Sequence, residues 1–162
     1  MPSWALNTLL VLISFIGMEV VAWAVHRYIM HGPGWGWHRS HHEPHAGRWR
    51  GLELNDMYAV VFGAAAVALI WAASQDGYAP AYFVGVGVSL YGLMYFVAHD
   101  VLVHRRIPVK WTPKRGYLKR LVQAHRLHHA THGRDGAVSY GFLYAPPVRR
   151  LKAQLQGREP AE

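Results

Sequence analysis

Residues 1–25 and 57–98 contain neither Lys nor Arg, although the chain carries 17 basic residues in 162 and a formal charge of +8. Those two regions hold three apolar stretches, Ala5 to Val25, Met57 to Ala73 and Ala79 to Ala98. A helix crossing about 30 Å of hydrocarbon needs roughly 20 apolar residues, so all three are long enough to span a bilayer. The polar turn Ser74-Gln75-Asp76-Gly77-Tyr78 between the second and third predicts a tight transmembrane hairpin. The first stretch has no basic leader and no small-residue cleavage pattern, and reads as a retained helix.

Three crossings put segments 26–56 and 99–162 on one side, and those segments carry every basic residue. The positive-inside rule makes that side the cytoplasm. The expected fold is therefore all-α: one membrane domain over 1–162, with three transmembrane helices and a cytoplasmic helical cap. A fourth membrane element at Ala137 to Val148 is the alternative, but that run is short and ends in Pro146-Pro147, which suits an interfacial or re-entrant segment better than a span. The same one-sided charge argues against nucleic acid as the partner of a +8 chain, because the positive potential faces a membrane surface.

Twelve His occur, all in the two segments assigned to the cytoplasm. Ten follow a repeated order: His26-x4-His31, then His38-x2-His41-His42, and later His99-x4-His104, then His125-x2-His128-His129. On a helix each triplet projects three imidazoles from one face, able to serve one metal or bridge two. The x4 pairs are five residues apart, and on a straight α-helix they diverge. Either each pair serves different metals or the helix unwinds between them; Gly32-Pro33-Gly34 and Pro108 follow the pairs and favour a fraying end. Ten imidazoles exceed the ligand set of one metal and match two. Cys is absent, so no thiolate or disulfide competes with that reading. His45 and His132 fall outside the repeat and read as surface or supporting residues.

Metal-bound His gives its second ring nitrogen to a carboxylate or carbonyl, and Glu43, Asp56, Asp100 and Asp135 lie near the clusters in sequence. Glu19 stands inside the first apolar stretch, where an acid is either functional or hydrogen-bonded in the bundle interior. Trp23, Tyr28, Trp35, Trp37, Tyr58 and Tyr95 sit near the membrane boundary, as interface anchors or as the lining of a lateral approach. The basic run from Arg105 to Arg126 reads first as a contact with anionic headgroups and second as a dock for an acidic electron donor. A membrane transporter would place its ligands within the spans; these His stand outside them. Neither a G-x-G-x-x-G fingerprint nor a P-loop is present, so reducing power is expected from a partner.

The motifs HRYIMH, HRSHH, HDVLVH and HRLHH resemble those of the bacterial beta-carotene 3-hydroxylases within the membrane fatty acid hydroxylase superfamily. The likeness runs nearly end to end, through GMEV at 17–20, HGPGWGWH at 31–38, HHEPH at 41–45, LNDMYAVVF at 54–62, KRGYLKRL at 114–121 and SYGFLYAPP at 139–147. It implies a non-haem enzyme of the bacterial inner membrane with two Fe ions, replaceable by zinc in recombinant protein. Dioxygen would be the co-substrate and a ferredoxin with its reductase the electron source. The substrate would be beta-carotene, hydroxylated at C3 of its beta-ionone rings through beta-cryptoxanthin to zeaxanthin. It further implies that His26, His31, His38, His41, His42, His99, His104, His125, His128 and His129 are the metal ligands. The histidine pattern alone leaves open a ketolase, a sterol or fatty acid hydroxylase, or a desaturase.

Overall fold

The computed structural model describes residues 3–43, 51–75 and 80–157. His45 and the middle of the expected hairpin turn lie outside them. Among the described residues there are helices and irregular connections but no strands. The helices are α1 (Ser3–Ala24), α2 (Trp35–His42), α3 (Asp56–Gln75), α4 (Pro80–Tyr95), α5 (Gly116–His128) and α6 (Val148–Leu155).

Two of them do not stop where their apolar stretches stop. α1 continues into a π-helical segment, Val25–Met30, and α4 into another, Phe96–Val103. The continuous helices Ser3–Met30, Asp56–Gln75 and Pro80–Val103 are long and apolar enough to cross a membrane. Their outward faces carry Leu12, Ile13, Ile16, Val20, Val60 and Val67 in the open. So continuous an apolar surface is unfavourable in water and is what a helix offers to lipid.

α4 is the middle helix, packed against both α1 and α3. Two glycines on its opposite sides allow this. A Cβ at Gly87 would collide with Ser14 of α1, and one at Gly85 would lie 2.7 Å from the Ile70 side chain and 3.1 Å from the Ala66 carbonyl of α3. Small residues thus let three backbones approach where lipid supplies no hydrophobic drive. α1 and α3 part from each other beside α4, and the space between them becomes a cavity.

The cap is a second packing unit. α5 buries Leu121, Val122 and Ala124, which pack with Val103, Val138, Ala145 and Leu151 of α6. The stretch Ala137–Pro147, weighed above as a fourth membrane element, is irregular rather than helical and buries Ala137, Val138, Phe142 and Ala145 within the protein. Its alternation of apolar residues with Gly, Ser and Pro gives it no continuous helical face to show to lipid.

Glu19 explains how that segment is held. Its carboxylate, from α1, accepts the backbone N–H groups of Phe142, Leu143 and Tyr144 at 2.8–3.0 Å and the Tyr91 hydroxyl at 2.7 Å. Of the two roles expected for an acid in that stretch, the structure shows the hydrogen-bonded one: Glu19 ties the cap to the membrane helices.

Candidate metal centre

The x4 spacing finds its explanation in the two π-helical segments. In an α-helix residue i bonds i+4, whereas here the His31 N–H bonds the His26 carbonyl at 3.0 Å and the His104 N–H bonds the His99 carbonyl at 2.9 Å. A π turn spans i to i+5, so each pair stands one turn apart and faces the same way. The helix widens rather than frays, and each pair stays together instead of being shared between sites.

The ten rings form two groups of five. His26, His31, His38, His42 and His128 make the first; His41, His99, His104, His125 and His129 make the second. Within each, one nitrogen per ring lies within 4.8 Å of all the others, an arrangement that could hold a metal ion. The triplets are divided: residues four apart on a helix, His38 with His42 and His125 with His129, serve their own pair, while the member between them, His41 or His128, crosses to the other group. Each helix therefore builds one group and completes its neighbour, and the rings of His42 and His129 stack at 4.4 Å where the groups meet.

The tautomers follow from the outer ring nitrogens. In the first group Nδ1–H of His26, His31, His42 and His128 donates to the carbonyls of Tyr140, Arg134, Thr131 and Val138 at 2.7–3.0 Å. Nδ1–H of His38 donates to Asn55 Oδ1 at 2.7 Å. With the proton on Nδ1, a neutral ring has a bare lone pair on Nε2. Yet His31 Nε2 lies 3.2 Å from His128 Nε2, and His26 and His42 Nε2 lie 3.1 and 3.2 Å from His38 Nε2. Two facing lone pairs cannot bond each other; a cation between them resolves the conflict. Bare nitrogens converging at 3.1–3.2 Å form a donor set that would suit such an ion. The second group repeats the pattern, with His41 Nε2 at 3.0 Å from His99 and His125 Nε2 at 3.2 and 3.0 Å from His104 and His129.

Burial favours the neutral form of His38, His42, His125, His128 and His129. Desolvation is the leading cause that lowers His42 to about 4 and His38 to about 2, with neighbouring imidazoles adding to it, and it drives His125, His128 and His129 down as well. Neutral imidazole is the form that binds metal.

The acids expected beside the clusters take different places. Asp100 Oδ2 approaches His99 Nδ1 at 3.4 Å. Asp56 acts at one remove: Arg106 binds it at 2.6 and 2.7 Å, Asp100 at 2.9 Å and the Gly51 carbonyl at 3.0 Å. Arg106, counted in sequence with the outward basic run, thus turns inward. Glu43 sits in an exposed pair with Arg39, and exposed Asp135 lies beside Arg134. His132 is exposed and outside both groups.

Sequence reasoning missed Glu53, whose carboxylate takes the His41 Nδ1–H at 2.9 Å, and Asn55. Asn55 lies next to Asp56 in the LNDM stretch and Glu53 immediately before that stretch, a signal that was available. It also missed Phe142, stacked on His26 at 5.1 Å, and the four carbonyls of 131–140, which leave no mark in a sequence.

Below the histidines, between the parted helices, lies a cavity of about 420 Å³. Ala59, Phe62, Gly63 and Ala66 of α3 and Val88, Gly92 and Tyr95 of α4 wall it, His99 stands at its metal end, and its rim includes the exposed Val67 and Phe96. Tyr58 and Tyr95 line it, and Tyr95 stacks on His99 at 4.6 Å. Trp35, by contrast, packs on His31 and His42.

A family model described as fatty acid hydroxylase matches residues 11–146. The chain belongs to the fatty acid hydroxylase family. Members of this family that resemble the chain over nearly its whole length include the protein named beta-carotene hydroxylase of Pantoea ananas, 53% identical over 158 residues, covering 98% of this chain and 88% of that one. The beta-carotene hydroxylase of Pseudescherichia vulneris is 54% identical over 152 residues, 94% and 84% of the two chains. A chloroplastic beta-carotene 3-hydroxylase of Arabidopsis thaliana is 35% identical over 134 residues, 81% of this chain and 42% of that protein. No solved structure matches. With its three apolar helices, this fatty acid hydroxylase family member is a membrane protein whose histidine groups could hold metal.

Proposed function

We propose that this chain is an oxygen-dependent beta-carotene 3-hydroxylase that converts beta-carotene through beta-cryptoxanthin to zeaxanthin. The observation that carries the reading is the cavity: an apolar space between membrane helices that ends at one of ten clustered histidines, in a chain half identical to proteins named for this reaction.

The cavity suits a hydrocarbon because most of its polar groups are already engaged. Asp56 and Asp100 are held by Arg106, Asn55 accepts from His38, Tyr58 donates to the Gly34 carbonyl and Tyr91 donates to Glu19. A carotenoid dissolved in the bilayer would enter past Val67 and Phe96 and present its ring to the His99 end.

In this reading the ten His hold two iron ions, five each. Bound iron supplies, with dioxygen, the oxidising power that a ring C–H bond requires and no side chain offers. The balance is RH + O₂ + 2e⁻ + 2H⁺ giving ROH and H₂O, with the electrons delivered by a ferredoxin-type partner on the cytoplasmic side of the inner membrane. The protein's own work is to orient the rings through their Nδ1–H bonds, keep them neutral by burial, and exclude water with Phe142 and Tyr95 between the histidines and the cavity.

Pigment chromatography of cells that accumulate beta-carotene tests this. Zeaxanthin is expected with the intact chain and not with a His128→Ala control. Unchanged beta-carotene beside membrane-inserted, iron-loaded protein would overturn the substrate assignment.

A further inference from the structure

The two groups of five have the same ligands and different surroundings. Every Nδ1 of the first group donates to a neutral oxygen: four backbone carbonyls and the Asn55 amide. The second group is backed by carboxylates. Glu53, whose side chain is only 6% exposed, accepts the His41 proton at 2.9 Å, and Asp100 lies 3.4 Å from the buried His99 Nδ1, which has no other partner. Behind Asp100 stands Asp56, and Arg106 binds both carboxylates. Asp135, which acts on His31 of the first group, is exposed to solvent.

Two physical effects follow, in the same direction. A carboxylate that accepts a ligand's N–H makes the imidazole a stronger donor, and a carboxylate held in a poorly solvated region attracts a nearby divalent cation more strongly than a carbonyl does. The first group is also wholly buried, whereas His104 and His129 of the second are partly exposed, so ions have readier access to the second.

We propose that the two metal positions are unequal: His41, His99, His104, His125 and His129, backed by Glu53 and Asp100, form the tighter position and fill first. This rests on the reading that ten His hold two metals. Glu53 and Asp100 are positioning residues in this scheme, acting through His41 and His99.

The test is titration of the full chain, freed of metal in detergent, with Co²⁺ alone, followed by calorimetry and by the ion's visible absorption. Two binding steps separated by about tenfold or more are expected. Glu53→Gln keeps the hydrogen bond and removes the charge; it should weaken the tight step about 10–100-fold, the range for partners of metal-bound His, and leave the weak step unchanged. Glu53→Asp should restore part of the loss, and His128→Ala should remove the weak step only. Two equal steps, or a Glu53→Gln effect on the weak step, would overturn the inequality while leaving two metals in place. A total of one ion or none per intact chain would instead bring down the reading on which it rests.

Discussion

The first histidine group is finished by the chain itself and the second by charge. Thr131, Arg134, Val138 and Tyr140 fold their carbonyls around the first, whereas Glu53, Asp100 and Arg106 surround the second, the group whose His99 reaches the cavity. Two copies of one sequence pattern have therefore produced five-histidine groups with unlike electrostatics. Ligand spacing sets the geometry of such a centre, and the residues behind the ligands set what each half does.

The largest effect expected is from breaking either half. His41→Ala removes a ligand of the second group and His128→Ala one of the first, and each should abolish hydroxylation as read by pigment chromatography; substantial product from either variant would mean that one half suffices. Deleting Ile29 probes the geometry. It would turn the π segment back to α winding with the two His four apart, the spacing of His38 and His42, so the pair should stay together and both bound metals should be retained. Inserting a residue after Ile29 should instead turn His31 away and cost product and one of two bound metals, and an insertion after Leu102 should do the same to the second group.

Next comes the tether that serves the first half more than the second. Glu19→Ala leaves three backbone N–H groups and the Tyr91 hydroxyl without their acceptor, and buried donors left unsatisfied cost about 1–3 kcal/mol each. A lowered unfolding temperature in detergent is expected, with metal lost first from the carbonyl-backed group. Retention of both would show that the 138–144 segment holds itself.

Acid should act on both groups. With folded values such as about 4 for His42 and about 2 for His38, only the unfolded chain takes up protons as pH falls through about 6.5, so stability falls as pH falls from there and is unaffected above it. Thermal unfolding of metal-free protein from pH 8 to 5 measures this, and a flat profile would contradict burial of neutral rings. The smallest effects belong to the periphery: His132→Ala, Glu43→Gln and Asp135→Asn should each change activity less than about twofold, since exposed pairs contribute about 0–1 kcal/mol.

Much of this was legible beforehand. The three stretches without Lys or Arg became the three helices because bilayer thickness fixes length and basic charge avoids it, and the repeated His pattern selected the ten residues that converge. What was not legible was winding: His26 and His31 looked divergent because 100° per residue was assumed, and only the i→i+5 bonds join them. The carbonyls that fix the tautomers of the first group belong to residues whose side chains are irrelevant to the task, so no composition marks them. Ala137 to Val148 reads as an interfacial or re-entrant segment because it is apolar; the apolar residues Val138, Phe142 and Ala145 instead pack within the protein, against α1 and α5.

The most direct measurement is iron per chain in protein loaded anaerobically, for the intact chain and for one ligand variant from each group, His42→Ala and His104→Ala. Two irons in the intact protein and one in each folded variant would match two five-histidine positions. One iron or none in the intact protein, or two retained in both variants, would contradict them.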